Sequence, residues 1–597
     1  MPVTSLASAD RRDSTVETAP PSGPRLMRDR APSGWALEME AVRVALKTAH
    51  MPLLLRLREG WLYRQTFRGP VPNRILFYPG DTRVRRLEDA DGFIRGRFRL
   101  GGQKLEIRQG SVFDSLLPGD SFAAALHGFD WLRHLEAAGG ELARAFAFKL
   151  TQQWLKRYAR FARNTWRPEM IAERFLNLFA HGRFFLTDSD LVWRSKLFVS
   201  LRQQAQMLSR TVDEAPVGLP RLKSAAAFAL AGFCLGDARH VAAGIKRLGL
   251  EIDRQILPDG GHIGRSPQIL LEAYRVLAMV QQALESASAP TDPRLRSALD
   301  KMAPMLRFFR MGDGALAVFH GGGESNSRTL EATLDSDDAL GWPLGHAPYS
   351  GYQRLSAGRT LVLFDAGPPP AGAFSTAAHA GCLAFEMSSG VNRLIVNCGM
   401  VVGSDDAWAN ALRSTAAHST LMIDDTSSAT VLRAGRLARL LGPRLVDGPG
   451  IVETRRSESP QGLTVEAHHD GYVTRFGAIH HRRMTLSPRG ASLTGVDRLI
   501  PAGPSRARNA KKWRFAIRFH IHPDVRLSLA QGGGSVILKL PNGEGWRFRC
   551  GGGTLSVEES VYFGGGAPRR AEQLLVTGQW HDEAMECAWL FEQVGPA

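Results

Sequence analysis

The amino-acid sequence predicts an α+β multidomain protein, in which a helical N-terminal half is followed by an all-β C-terminal half. The 597 residues are too many for one compact core, so two large domains are expected. Apolar residues recur at helical spacing from about residue 120 to 309, and at every second position after residue 312. Runs of helices followed by runs of strands are typical of two domains in series.

The first 33 residues have the composition of a disordered tail. They are polar, rich in Pro, Ser, Asp and Arg, and contain the segment PPSGP. No apolar core of a signal peptide is visible among them, and the longest apolar stretch, AAAFALAGFCLG, is too short to span a bilayer. We therefore expect a cytoplasmic protein without a membrane span.

Residues 34–312 are predicted to form the helical domain. Segments such as AFAFKLTQQWLKRYARFA and SPQILLEAYRVLAMVQQALES carry apolar residues at helical spacing and end near Gly, Pro or Asp. Short loops between such helices favour antiparallel helical hairpins, wound into a toroid or a bundle. A small β insertion is predicted near residues 74–110, where alternating segments are interrupted by glycines.

Residues 313–597 are predicted to form an antiparallel β-sandwich. Short alternating segments such as TLVLFDAG and WRFAIRFHIHP are separated by Gly, Pro, Asn and Asp. Two histidine doublets, His468–His469 and His480–His481, fall in such segments. Successive side chains of a strand point to opposite faces, so we predict structural roles for these doublets.

The charge balance favours a polyanionic partner. The chain has 75 Lys and Arg against 58 Asp and Glu, a formal charge of +17. Such a field suits nucleic acid, anionic lipid or acidic polysaccharide. No fold-specific nucleic-acid motif is present, so nucleic acid is not the expected partner. The five cysteines form no CxxC pair, which indicates neither a disulfide framework nor a thiolate zinc site.

The first candidate site is the segment DGGHIGRSP between two predicted helices. Its tight turn is expected to point His262 and Arg265 out of the loop, where they can meet a sugar acid. The alternative is a structural loop, with a helix C-cap followed by Ser266 as N-cap and Pro267 in the first helical position.

The second candidate site is the segment GHAPYSGYQRL at the entry to the β domain. It contains His346 and Tyr349, and a Tyr and a His near one cleft are the acid and base that elimination chemistry uses. The alternative is a packed surface motif.

The third candidate site combines His379, Asn397 and His418, each at or near the end of a predicted strand. Two histidines and an oxygen ligand can hold a divalent metal, and zinc fits best. Spacings of 18 and 21 residues suit adjacent antiparallel strands, although unrelated strand ends give the same spacing.

Five segments in this order resemble signatures of the heparinase II/III-like polysaccharide lyases. They are PDGGHIGRSP, SGYQRL with LVLFDAGPP, HAGCLAFEM, LIVNCG and AAHSTLMIDD. The resemblance implies an (α/α) toroid joined to a β-sandwich, and β-elimination on a polysaccharide that contains uronic acid, such as a glycosaminoglycan. It also implies a periplasmic or cell-envelope location as the alternative to the cytoplasm.

The chemistry that the resemblance implies gives the candidate residues expected roles, as substitutes for family residues that this chain lacks. Arg265 would neutralise the uronate carboxylate, Tyr349 or His346 would be the base, and His262 would orient it or donate the proton. The alternative for Arg265 is a salt bridge to an acid such as Glu272. The third group would be a structural metal site, and its neutral Asn oxygen in place of a family carboxylate predicts weaker binding.

The chain departs from the family pattern at three places. The family's Asn-His pair falls near Leu219 and Pro220, its tyrosine at Ile269, and its first histidine of a His-x-His pair at Ala377. These departures favour an alternative function, a non-catalytic protein of envelope or capsule metabolism that binds an acidic glycan. The sequence makes no prediction of the oligomeric state.

Overall fold

The computed structural model describes most of the chain. The described residues are 26–27, 34–67, 69–187, 189–335, 343–400, 406–503, 512–530, 532–581 and 584–595. The predicted tail therefore lies outside them, apart from residues 26–27. The predicted change from helix to strand is confirmed.

Helices make up the first half of the described chain. They are α1 Gly34–Thr48, α2 Met51–Glu59, α3 Trp61–Gln65, α4 Leu87–Ile94, α5 Asp120–His127, α6 Leu132–Ala138, α7 Gly140–Tyr158, α8 Pro168–His181, α9 Arg183–Leu186, α10 Leu191–Thr211, α11 Leu219–Leu235, α12 Ala238–Gln255, α13 Pro267–Ser286, α14 Pro293–Phe308 and α15 Ser327–Leu334. Three further short helices lie in the β half: α16 Asp406–Leu412, α17 Gly435–Leu441 and α18 Val473–Phe476. The closure of the long helices into a toroid stays a prediction.

Helix α11 is the centre of the helical domain. It packs against α8, α10, α12 and α13, and its residues 224–232 are all buried. Small side chains permit this, because Gly244 of α12 lies so close to α11 that an added Cβ would stand 2.5 Å from the Cα of Ala229. A helix that is apolar on every side belongs in a core, as the run of alanines indicates.

The predicted β insertion is confirmed only in its second part. Strands β2 Arg97–Leu100 and β3 Gln103–Glu106 form a two-stranded hairpin. The prediction is wrong for the first part, because residues 73–81 form no strand and Leu87–Ile94 is helix α4. Ala90 and Phe93 lie three residues apart and are both buried, so burial follows the helical period there.

The β half contains two large antiparallel sheets. The strands that follow the hairpin are β4 His346–Ala347, β5 Tyr352–Ala357, β6 Thr360–Asp365, β7 Phe385–Ser389, β8 Asn392–Val396, β9 Leu421–Ile423, β10 Thr430–Val431, β11 Leu445–Val446, β12 Ile451–Ser459, β13 Gly462–Tyr472, β14 Ala478–Leu486, β15 Ser492–Pro501, β16 Trp513–Ile521, β17 Arg526–Leu529, β18 Ser535–Lys539, β19 Gly545–Gly551, β20 Thr554–Tyr562, β21 Arg569–Trp580 and β22 Met585–Val594. Strand β1, Leu26–Met27, pairs with β12.

In the described chain each large sheet has nine strands. The first has the order β1-β12-β13-β14-β15-β22-β19-β18-β17. The second has the order β20-β21-β16-β8-β7-β6-β5-β4, with β9 also paired to β16. Their inner faces share one aromatic core, in which Phe385 of the second sheet stacks on Trp589 of the first with ring centroids 5.6 Å apart. The predicted sandwich is confirmed.

The second sheet also packs against the helical domain. Leu361 and Leu363 of β6 belong to the helical core, whereas Val362 and Phe364 belong to the core between the sheets. Side chains on the two faces of β6 therefore pack into two different hydrophobic cores. No helix among the described residues is long and apolar enough to cross a membrane.

One buried carboxylate organises the centre of the first sheet. Asp497 is fully buried and accepts hydrogen bonds from His480 Nε2 at 2.7 Å, from Arg482 Nε and Nη2 at 2.8 and 2.9 Å, and from Trp589 Nε1 at 2.9 Å. His469 and His480 are buried, whereas His468 and His481 are partly exposed. The predicted structural role of the buried half of each doublet agrees with these contacts.

We predict that Asp497→Ala lowers the free energy of unfolding by about 3–5 kcal/mol, because the Arg482 guanidinium remains buried without its partner. The measurement is the shift of the urea midpoint. Glu586→Ala is the control, since Glu586 pairs with Arg498 at the surface and its loss costs about 0–1 kcal/mol. Equal shifts for the two variants would contradict the prediction.

Candidate functional site

The first two predicted motifs meet at the junction of the two domains. The carboxylate of Asp259 accepts hydrogen bonds from Tyr349 N at 2.9 Å, Ser350 N at 2.6 Å and Ser350 Oγ at 2.8 Å. The loop between α12 and α13 is thus fastened to the turn between β4 and β5. The predicted proximity of the two motifs is confirmed.

Arg265 lies inside this junction and does not project from the loop. It is 7% exposed, and its guanidinium donates to the carbonyl oxygens of Ser350 at 2.7 Å, Gly367 at 3.0 Å and Pro368 at 2.9 Å. It also forms a buried salt bridge with Asp365. The expectation that Arg265 points out of the loop is therefore wrong.

Asp365 is the acidic partner of Arg265. Burial raises the pKa of the Asp365 carboxyl, but the nearby Arg265 and the hydrogen bond from His320 hold that pKa below its ordinary value. The expected alternative partner, Glu272, pairs instead with Lys223 and Arg275. The alternative role of Arg265, a structural salt bridge, is therefore supported, but its acidic partner is Asp365 and not Glu272.

His262 is also a structural residue of the loop. It is 3% exposed, its Nδ1 accepts from Gly264 N at 2.9 Å, and its Nε2 donates to Gln255 Oε1 at 3.0 Å. Burial lowers the pKa of His262 to about 4, so the ring is neutral at pH 7. The expected exposure of His262 is wrong. A Cβ added at Gly260 would collide with the backbone of Lys301, and one added at Gly261 would collide with Ser350 Oγ. The turn is therefore enclosed on both sides.

The loop ends as the structural alternative predicted. Ser266 is the N-cap of α13, with its Oγ 3.5 Å from Ile269 N, and Pro267 occupies the first helical position. The residue types that suggested a substrate loop therefore serve the start of a helix.

His346 and Tyr349 are the two predicted catalytic residues that solvent reaches. Tyr349 is 54% exposed, and His346 lines a cavity of about 480 Å³ between the β4–β5 turn and β12. Gln353 and Arg456 line the same cavity. The Oε1 atom of Gln353 is buried and has no hydrogen-bond partner among the described residues.

The third predicted group is only partly assembled. His379 Nδ1 and His418 Nε2 lie 3.1 Å apart in a buried pocket. His418 Nδ1 donates to Ser414 O at 2.7 Å, so its Nε2 accepts from His379, and His379 Nε2 has no partner within the described chain. Burial and the neighbouring His418 hold the pKa of His379 well below its ordinary value, and burial lowers the pKa of His418 to about 4.

Asn397 is held by contacts of its own. Its Oδ1 accepts from Ser419 N at 3.1 Å, and its Nδ2 donates to Val318 O at 3.3 Å. Its backbone N–H donates to Glu386 Oε1 at 3.0 Å, and burial raises the pKa of Glu386 to about 7. The amide of Asn397 is thus used in joining β8 to its neighbours.

The group fits a metal ion only in part. Two ring nitrogens 3.1 Å apart have nearly the separation of two ligands at about 2.0–2.1 Å from one zinc ion. Among the described residues, however, no group of three His, Cys, Asp or Glu side chains is placed to hold a metal.

Sequence reasoning missed His320 and Asp365. His320 Nε2 donates to Asp365 Oδ2 at 3.1 Å, and His320 Nδ1 accepts from His379 N at 3.2 Å. These two residues therefore connect the Arg265 salt bridge to the histidine pair. In the sequence, His320 is a single histidine after the last long helix, and Asp365 follows the apolar run of TLVLFDAG. Neither residue belongs to a motif with a distinctive spacing, so neither was identified as a site residue.

Comparisons with known proteins agree with this architecture. Residues 339–590 match the model of the family described as heparinase II/III-like, C-terminal. FtsZ-localized protein C of Caulobacter vibrioides is 33% identical over 521 residues, which cover 86% of this chain and 89% of that protein. Two solved structures share the fold. Heparinase III has a TM-score of 0.67 at 15% identity, covering 95% of this chain and 93% of that one. Heparan sulfate lyase HepC (a mutant) from Pedobacter heparinus has a TM-score of 0.58 at 16% identity, covering 95% and 92%.

We predict that Arg265→Ala melts at a clearly lower temperature than the parent protein, because the buried Asp365 carboxylate loses its cation, at a cost of about 3–5 kcal/mol. Thermal unfolding measures the change, with Arg294→Ala as the control. The Arg294 side chain is 35% exposed and pairs with Asp292 at the surface. If Arg265→Ala kept its melting temperature and lost binding to an acidic polysaccharide, the structural role would be contradicted and the catalytic one supported.

Proposed function

The chain belongs to the heparinase II/III-like family, and from that premise we propose that it is a non-catalytic member that localises with FtsZ, as its relative's name says of that protein. The observation that carries the proposal is the 33% identity to FtsZ-localized protein C, which extends over 86% of this chain and both domains. The fold then serves as a scaffold for binding.

The state of the predicted catalytic residues supports this proposal. β-Elimination needs a group that neutralises the uronate carboxylate and a base that reaches the C5 proton. Arg265 and His262 are buried and use their polar atoms inside the protein. The positions of the family's Asn-His pair and tyrosine hold Pro220 at the start of α11 and Ile269 in the first turn of α13. Neither side chain can bind an anion or transfer a proton.

A second candidate function is an acidic-polysaccharide lyase with a rearranged site. The cavity lined by His346 favours it, because Tyr349 is exposed beside that residue and Arg456 and Gln353 could hold a sugar acid. Arg456 Nη1 already donates to Gly345 O and Arg354 O, and its Nη2 donates to Glu458 Oε1 at 3.4 Å, so little of this guanidinium is available to a ligand. In this candidate the partner is an acidic polysaccharide, whether it is cleaved or only bound.

The location of the protein follows from the same alternatives. We propose the cytoplasm for the FtsZ-localised function, whereas an acidic-polysaccharide lyase would suit the periplasm or the cell envelope. A fluorescent fusion separates these alternatives together with the function.

We predict that a fluorescent fusion of the full chain coincides with FtsZ in cells that express both, and that the purified protein produces no ultraviolet absorbance of unsaturated uronates from a panel of polyuronates and glycosaminoglycans. Heparinase III is the positive control for the absorbance assay. A diffuse fusion without absorbance would contradict the localisation. Absorbance that His346→Ala and Tyr349→Phe abolish would replace the proposal with the second candidate.

We also propose that zinc binds weakly at His379 and His418, because the amide of Asn397 is already hydrogen-bonded and no third His, Cys, Asp or Glu of the described chain joins the pair. Zinc titration of the metal-free protein should show one weak site that His379→Ala removes and His468→Ala keeps, because His468 is partly exposed and distant in sequence. Zinc binding that survives His379→Ala would contradict this assignment.

A further inference from the structure

A groove in the helical domain has the chemistry of a binding site outside the domain junction. It lies between the C-terminal part of α7 and the first half of α10 and has a volume of about 980 Å³. We call it the α7–α10 groove. It shares no lining residue with the sites described above, and its charged lining residues are Lys156, Arg157, Arg160 and Lys196, without an acidic side chain.

Three of these four cations are not neutralised within the described chain. Arg157 is paired with Asp114 through two hydrogen bonds. The other three cations are Lys156, Arg160 and Lys196. All three are exposed, and none of them makes an ion pair with a described residue. Cations of one sign brought together along a groove attract an anionic ligand.

A buried and unsatisfied donor is the second, independent sign of a ligand. Trp193 lines the groove, is 8% exposed, and its indole N–H has no hydrogen-bond partner among the described residues. Its ring is fixed against Phe148, with centroids 4.4 Å apart, so the N–H is held in place. An unpaired buried donor is destabilising, and an acceptor on a bound ligand satisfies it.

The remaining lining residues indicate the class of ligand. Leu155, Ala159 and Val199 add an apolar strip between the cations, and Gln152 and Gln203 add amides that can pair with a peptide backbone. An acidic glycan has carboxylates and hydroxyls but no aliphatic side chains for that strip. We propose that the α7–α10 groove binds a polypeptide segment of a partner protein, in which acidic residues are interspersed with apolar ones.

The size of the groove agrees with a short peptide. Its lining on α10 runs from Trp193 to Gln203, which spans about 15 Å at 1.5 Å per residue. An extended peptide covers that distance with about five residues at about 3.3 Å each. The inference concerns a surface of the helical domain and stands whether or not the chain localises with FtsZ.

The test uses a fluorescent peptide of alternating Glu and Leu, a Lys-Leu peptide of the same length and a heparin oligosaccharide, with binding followed by anisotropy. The full-length protein is expected to bind the Glu-Leu peptide, less tightly as salt rises, and to leave the Lys-Leu peptide unbound. Lys156→Glu/Arg160→Glu/Lys196→Glu should weaken the binding at least tenfold. A matched control, Lys246→Glu/Lys301→Glu/Arg328→Glu, makes the same charge change at exposed positions of other helices and should leave the binding nearly unchanged.

Trp193→Phe tests the indole donor separately. It keeps an aromatic ring against Phe148 and should weaken peptide binding several-fold with little loss of melting temperature. If the Glu-Leu peptide does not bind, or binds equally to the groove variant and the control variant, the proposal fails. If the heparin oligosaccharide binds tightly and depends on the same three cations while the peptide does not, the groove is a glycan site and the peptide assignment is wrong.

Discussion

The buried salt bridge between Arg265 and Asp365 is the interaction on which the junction of the two domains depends. Arg265 stands on the loop that precedes α13, and Asp365 ends β6 of the second sheet. The same guanidinium donates to backbone carbonyls of the β4–β5 turn and of the segment after β6, and Tyr352 OH donates back to Arg265 O at 2.7 Å. Because a buried cation needs this many partners, the helices and the sandwich have one mutual arrangement.

This requirement also limits what the junction can do. A guanidinium that satisfies five neighbours has no donor left for a substrate carboxylate, and a neutral His262 fixed by Gln255 cannot exchange a proton with a ligand. The heparinase II/III-like fold is retained, while the polar atoms of Arg265 and His262 are occupied inside the junction. Basic surfaces elsewhere, such as the α7–α10 groove, remain available for partners, in agreement with the strong positive charge of the chain.

The sequence predicted the fold well because the fold follows from periodicity. The alternation of WRFAIRFHIHP, in which Phe515 and Ile517 are buried, and the helical spacing of SPQILLEAYRVLAMVQQALES describe burial directly, and both are confirmed. The helix Leu87–Ile94 fell inside the predicted β insertion because its eight residues are too short for the helical period to be distinctive. The site was harder to predict. His262 and Arg265 were identified as important, but a single sequence does not reveal whether a polar side chain turns toward solvent or toward a buried partner. That partner, Asp365, is 100 residues away in the chain.

Hydrogen–deuterium exchange of the native protein tests the central claim most directly, which is that the loop of residues 259–266 is a locked structural element and not an open substrate loop. Amides of this loop, such as Ile263 N bonded to Gln255 O and Arg265 N bonded to His262 O, are held inside the junction. Peptides covering residues 259–266 and 349–367 are expected to exchange slowly, over minutes to hours, like the neighbouring core helices. Exchange of these peptides within seconds, at the rate of exposed surface loops, would contradict it.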